Sequence, residues 1–567
     1  METLEPAPAK RSNRLILGIV GGVIVVALIA AGVLIIPRLL NTAASTPNLT
    51  AAAMPADTQI YLAFHPRYDQ LPNGGAIRKA WSDPAIFKPL EDNIRRSLFA
   101  SDLDWDQDIA PWLGDEIGLG FSNLPLGFPA PNVSPPVYVV AVLTRDTTKS
   151  DAFLAKVRAD TESHGVEFRE QTYRDVATVE QVGPNPNAGT AYATLKNMVI
   201  LANGPDWLHA AIDALLDGKG LDTQTRFAST LNPLRGGRAA TLYLDVAAVI
   251  KPVLEQAAQT PSPSAFDPST FDTQTFGMGL TFEPNGIILE FLSTGDPSVK
   301  LPVEEKTGQK AEPNPNRLLR AVPDSTFVYL SGRRLSDALA DILKLMQTTN
   351  PMALDMLADF ERQTGIDLTS DFNWASGEAA FAMLPGSGLL GGPGASPFGF
   401  ALILEASDKQ AAEASFGKMF GALVEQSNGV LSIEDVTVGD YPLHGLLDRF
   451  SGEPTLVYGL MDDRLVAAFP EAAAQKIANA GDRPLADDED FKAAIAPLPD
   501  NTIGYAYFKP KTLIDLIALG LSASGQSCQA CALFQPVQSL AFTIEYPPIE
   551  PGTVHSMLFM RLDVGEE

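Results

Sequence analysis

The sequence predicts an α+β protein in which an N-terminal transmembrane helix precedes two tandem diverged domains, each a largely antiparallel sheet with helices packed on one face. Three observations predict it. An uninterrupted apolar run covers Leu15 to Ile36. Matching phrases recur later in the chain in the same order and at a nearly constant offset, as a tandem duplication requires. Strands of period 2 follow one another directly, as in VEFREQTYRD, VATVEQV and TAYATLKN, and interleave irregularly with helices of period 3.6 such as PDWLHAAIDALLD. Hairpin series of that kind build antiparallel rather than doubly wound parallel sheets.

Residues 1–14 form the predicted cytoplasmic tail, and Lys10, Arg11 and Arg14 place its positive charge beside the apolar run. Residues 15–36 are long enough to cross a bilayer and too long for a cleavable leader, so they read as a signal anchor. Only Arg38 lies close behind, and the charge asymmetry keeps the N-terminus cytoplasmic and exports the remainder. Gly18 and Gly22 have the spacing that lets two membrane helices approach, a weak signal in a segment where Gly is common. Residues 37–53 read as a flexible stalk, because Asn41 to Ala53 is small, polar and uncharged.

The first ectodomain copy spans 54–297 and the second 317–567, separated by a charged, Pro-bearing linker at 298–316. Their matches are ordered. Pro55 in MPADTQIYLAF pairs with Pro323 in VPDSTFVYLSG, and Trp112 in DIAPWLGDEIGLGF pairs with Trp374 in DFNWASGEAAFAML. Phe227, Pro233 and Tyr243 pair with Phe491, Pro497 and Tyr507. Leu513 to Leu521 is apolar but short and carries Asp515, which suits a domain helix better than a second span.

The anchor, the short stalk, the repeated opening phrase (MPADT, VPDST) and the acidic segment running into W-L-G-D-E together resemble a bacterial family of membrane-anchored proteins catalogued as domain of unknown function 3352. The resemblance covers most of the ectodomain. Its motifs are structural, so it implies an architecture and brings no activity, cofactor or site residue.

A net charge of −27, spread along 567 residues of which 46% are apolar, gives a chain able to bury more than one core under an acidic surface. Such a surface repels phosphate backbones, and with no basic stripe nucleic acid is excluded as a partner. Asp104, Asp106, Asp108 and Asp115 fall at positions 1, 3, 5 and 12 of a calcium loop, and Asp367, Thr369, Asp371 and Glu378 repeat the spacing. The glycine needed at position 6 is Ile109 in one and Phe372 in the other, so the segments read instead as helices ending near Gly114 and Gly377. Cys528 and Cys531, the only cysteines, form a C-x-x-C that in an exported domain is expected to be a structural disulfide, with a redox role as the alternative. Ser415 and Lys418 make an S-x-x-K, but the K-T-G at Lys306 precedes it, in a linker, against the order such acyl-enzymes need. The helix carrying them reads as amphipathic packing through Phe416, Phe420 and Leu423. His65, His164, His209, His444 and His555 are scattered without a ligating spacing.

Two loops, 123–136 and 385–399, occupy equivalent places and expose Leu126, Phe128, Leu389 and Leu390 as candidate contact residues. No catalytic constellation, metal set or cofactor site emerges from the pattern. The expected function is a non-catalytic interaction or scaffolding module of the cell envelope, held in the membrane by its N-terminal helix and bound to an envelope protein. A carrier or sensor of an apolar ligand, and an envelope hydrolase or thiol-redox protein, are the alternatives.

Overall fold

The computed structural model describes residues 48–67, 71–80, 105–123, 137–183, 189–249, 274–295, 313–336, 358–386 apart from 360, 363 and 368–369, 396–450, 452, 454–523, 534–546 and 552–564. The expected cytoplasmic tail at 1–14, the expected span at Leu15–Ile36, most of the expected linker at 298–316, Cys528, Cys531, Lys306, Asp104, Thr369 and the loop residues Leu126, Phe128, Leu389 and Leu390 lie outside the described residues. Among the described residues no helix is long and apolar enough to cross a membrane.

The first ten strands are β1 (Ile60–Phe64), β2 (Leu113–Ser122), β3 (Val137–Thr144), β4 (Glu167–Tyr173), β5 (Val176–Val182), β6 (Ala191–Leu195), β7 (Met198–Ala202), β8 (Ala240–Asp245), β9 (Thr275–Glu283) and β10 (Gly286–Thr294). The next ten are β11 (Val328–Arg333), β12 (Glu378–Pro385), β13 (Phe398–Glu405), β14 (Leu431–Val438), β15 (Tyr441–Asp448), β16 (Pro454–Met461), β17 (Arg464–Phe469), β18 (Thr502–Phe508), β19 (Val537–Glu545) and β20 (Thr553–Leu562). Every pairing among the described strands is antiparallel. In the first ten, β4, β5, β6, β7, β3, β2, β1, β8, β9 and β10 lie side by side in that order. The second ten repeat the same scheme from β14 through β17, β13, β12, β11 and β18 to β20.

The sequence leaves open how the two sets meet. They meet strand to strand: β10 pairs with β20 from Gly286↔Arg561 to Thr294↔Thr553, and all twenty strands form one sheet. Among the described strands, β4 and β14 are the edges. β4 is a blunted edge, because Glu167, Arg169 and Glu170 keep it charged and exposed.

Hairpin chemistry explains the meanders. Arg174–Asp175 and Lys196–Asn197 each hold two consecutive residues at positive φ, the two-residue turn whose twist matches that of the strands. No glycine is present in either, so the turns carry little sequence signature.

The helices are α1 (Gly74–Ala80), α2 (Thr147–Ser163), α3 (Pro205–Asp217), α4 (Thr225–Leu231), α5 (Lys409–Gln426), α6 (Glu471–Ala478), α7 (Glu489–Ile495) and α8 (Pro510–Ala523). The last includes the Leu513–Leu521 stretch as a domain helix, with Asp515 exposed. The expectation of helices on one face is corrected: they cover both. On one face, α3 and α4 bury Leu208, Ile212, Phe227 and Leu231 against Val139, Ala141 and Ile200, and α6 and α7 bury Ala474, Ile477 and Phe491 against Ala401, Ile403 and Val466. On the other, α2 packs Leu154 on Val142 and Val199, and α5 packs Phe416 and Phe420 on Leu404 and Leu465. Strands β3, β7, β13 and β17 are apolar at odd and even positions alike, which is what two covered faces demand.

Two further expectations are revised. The expected stalk does not reach residue 53, because Leu49–Ala53 forms a 3-10 turn whose Thr50, Ala51 and Ala53 are fully buried. Small side chains there reflect close packing rather than freedom. The segments ahead of Gly114 and Gly377 are not helices that stop at glycine. Trp105–Ile109 is a single π-helical turn, and Gly114 lies within β2, where a Cβ would fall 2.6 Å from the Leu143 carbonyl oxygen. That glycine is required by close strand approach.

Candidate functional site

Three polar arrangements among the described residues bear on function. The first is a pair of buried glutamates. Glu116 on β2 accepts from the backbone N–H groups of Leu49 (3.0 Å) and Thr50 (2.8 Å), from Thr50 Oγ1 (2.6 Å) and from the Tyr61 hydroxyl (3.2 Å). Burial first, and then the charge of Glu116, push the Tyr61 hydroxyl well above its ordinary pKa, which keeps it a donor. Glu378 on β12 does the same for the 3-10 turn Arg317–Arg320, accepting from Arg317 N (3.0 Å) and Leu318 N (3.1 Å). Each carboxylate supplies the acceptors that the first amides of a helical turn lack. These residues cap an element, and the signal that could have found them is the glutamate following Trp112 and Trp374 at matching positions in W-L-G-D-E and W-A-S-G-E.

The second is a groove of about 390 Å³ on α5, lined by Asp371, Trp374, Ser407, Asp408, Ser415 and Lys418. It contains the S-x-x-K pair, but not in a nucleophile–base arrangement. Ser415 is 4% exposed, and its Oγ lies 2.7 Å from the Asp371 carbonyl and 2.8 Å from that of Ala411 while accepting from Trp374 Nε1 at 3.1 Å. Lys418 Nζ turns to the Asp371 carboxylate, 3.2 Å away. The first half has a comparable pair, Lys156 on α2 with Asp108 at 2.8 Å. The calcium spacing is likewise dispersed: Asp108 meets Lys156, Asp115 pairs with Arg67, Asp371 meets Lys418, and Glu378 caps its turn. Among the described residues no group of three or more His, Cys, Asp or Glu could hold a metal ion.

The third lies at the seam where β10 meets β20. His555 is 3% exposed, with Nδ1 2.7 Å from Glu545 Oε2 and Nε2 3.4 Å from Glu290 Oε1. The longer approach is an ion-pair distance without hydrogen-bond alignment, so charge rather than a directed bond links that pair. Glu290 also accepts from Arg235 N at 2.9 Å, and Arg235 Nη2 donates across the seam to the Pro497 carbonyl at 2.8 Å. Burial pulls the His555 imidazole down, and the two carboxylates outweigh it and hold its pKa above the ordinary value. The other histidines stand apart: His65 follows β1, His164 caps α2, His209 stacks on Tyr173, and His444 faces Asp435.

An apolar ladder crosses the second half on the face covered by α5. Leu330 lies opposite Phe381, Phe381 stacks on Phe400 with ring centroids 6.2 Å apart, and Phe400 stacks on Phe469 at 6.4 Å. Its ends are open, with Leu330 45% and Phe469 38% exposed.

A family model described as "Protein of unknown function (DUF3352)" matches residues 17–562. Among solved structures, crystal form III of TP0453 is 11% identical at a TM-score of 0.23, over 47% of this chain and 86% of that one. Crystal form I of TP0453 is 11% identical at a TM-score of 0.24, over 46% and 84%. Likeness at that level carries no argument about fold or function. No curated protein matches the chain.

Proposed function

The chain belongs to the DUF3352 family of proteins of unknown function, and from that premise we propose that it is a membrane-tethered, extracytoplasmic, non-catalytic scaffold of the cell envelope. The observation that carries this reading is the β10–β20 pairing, which makes two repeated halves into one continuous sheet of twenty strands. At ~4.8 Å per strand the sheet measures about 90 Å along its width, a long platform suited to holding partners at fixed separation. The apolar run at Leu15–Ile36 supports tethering. Eleven residues separate it from the first described residue, Asn48. At ~3.3 Å per residue that keeps Asn48, the start of the platform, within about 40 Å of the end of the span.

Crosslinking in intact cells, followed by identification of what is joined to the ectodomain, tests the proposal. A recurring envelope protein is the expected result. The Leu330–Phe381–Phe400–Phe469 ladder favours a second reading, carriage of an apolar ligand. If crosslinking captures no protein, and lipid co-purifies with the wild type but not with Phe469→Glu, that second reading replaces the first.

A further inference from the structure

Among the described residues, buried charges from both sets of strands meet at the seam between the halves. On the face that carries α4 and α7, two cores meet beside it: Leu234 and Leu292 belong to one, and Leu498, Met557, Phe559 and, across the seam, Ile288 of β10 belong to the other. Between them stand Glu290 at 1% exposure and His555 at 3%. A neutral imidazole carries one N–H and can satisfy one carboxylate. Here two carboxylates face it, one from each half, and only the imidazolium attracts both: Nδ1 donates to Glu545 at 2.7 Å while the positive charge holds Glu290 at 3.4 Å.

We propose that the union of the two half-sheets is a proton-operated joint, in which an imidazolium at His555 ties Glu290 of the first half to Glu545 of the second and loss of that proton loosens β10 from β20. The charged groups around it give the direction. β10 contributes Glu290 and β19 contributes Glu545, whose other oxygen lies 3.4 Å from Asn501 Nδ2. The segment before β8 contributes Arg235 and Arg238, and Arg235 is shared with Glu283 of β9 at 3.1 Å. Farther along β20, Arg561 is occupied by Asp490 of α7 at 2.6 Å. With the proton gone, the Glu290 carboxylate keeps Arg235 and loses its charged link to His555 of β20. Because the folded protein holds this proton more tightly than an unfolded histidine does, the added stability is complete below the ordinary histidine pKa and fades as pH rises through the raised one.

The test is hydrogen exchange of peptides from β10 and β20, in the full chain in detergent at pH 6 and pH 9, with rates normalised to intrinsic exchange. Protection at the seam should fall from pH 6 to pH 9, while β12 and β13 keep theirs. His555→Gln should show equal protection at both pH values. Should that variant fail to fold, Glu545→Gln decides, and its loss of protection should begin at lower pH than in the wild type. Unchanged wild-type protection between pH 6 and pH 9, or the same fall in the variant that folds, overturns the proposal.

Discussion

Glu116→Ala is expected to lower the stability of the protein by about 3–5 kcal/mol, measured as a shift in urea denaturation, because a buried carboxylate leaves at least three buried donors behind. The amides of Leu49 and Thr50 and the hydroxyl of Tyr61 all end on it, and at 2% exposure water has little access to replace it. Glu378→Ala should cost a similar amount, since Glu378 caps the corresponding turn at 1% exposure. Glu116→Gln retains an acceptor oxygen but introduces an amide with no acceptor waiting, so it should fall between the wild type and alanine. A cost below about 1 kcal/mol for both alanine variants would mean that the turns hold by side-chain packing alone.

The second large effect is expected at Trp374. It is 4% exposed, packs at 6.1 Å ring separation against both Phe372 and Phe416, and donates Nε1–H to Ser415. Truncation to alanine removes the centre of the core between α5 and the sheet, and should cost about 3–5 kcal/mol. Trp374→Phe keeps most of the volume and loses the hydrogen bond, for about 1 kcal/mol. Ser415→Ala should match Trp374→Phe more closely than Trp374→Ala, because the hydroxyl serves the same contact together with the Asp371 carbonyl and the Ala411 carbonyl of its own helix. Thermal melts of the three variants check the ranking. A Ser415→Ala effect as large as that of Trp374→Ala would contradict it.

What could be read from the sequence was local. The repeated Pro-to-Thr phrase marks a turn in which Thr58 and Thr326 donate to the carbonyls of Pro55 and Pro323, each at 2.7 Å. Asp146 and Asp408, ahead of the two Lys-bearing helices, are N-caps accepting from Lys149 N and Ala411 N. Both signals lie within three residues of what they determine, so spacing reveals them. Glu116 reaches Thr50 across 66 positions, and no spacing rule points to that partner. Glu290 and His555 are farther apart still, and the alternation of β10 and β20 is equally consistent with two edges facing solvent. The misreading of Leu49–Ala53 has the same origin, since small residues can mean a free chain or a tightly packed one, and only the position of Glu116 distinguishes the two. Helix placement failed for a related reason. Period 2 with both parities apolar identifies a strand covered on two faces but does not say which helix covers which face.

The continuous sheet is tested most directly by trapping the seam. In a background carrying Cys528→Ser and Cys531→Ser, the substitutions Ser293→Cys and Val554→Cys introduce thiols at directly opposed positions of β10 and β20, within the Cα separation a disulfide accepts. Ser293→Cys with Phe276→Cys, opposed across the β9–β10 hairpin, is the internal standard. Mild oxidation of the full chain should close both pairs intramolecularly and to a similar extent. Closure of the hairpin pair alone would show that the two halves do not share a sheet.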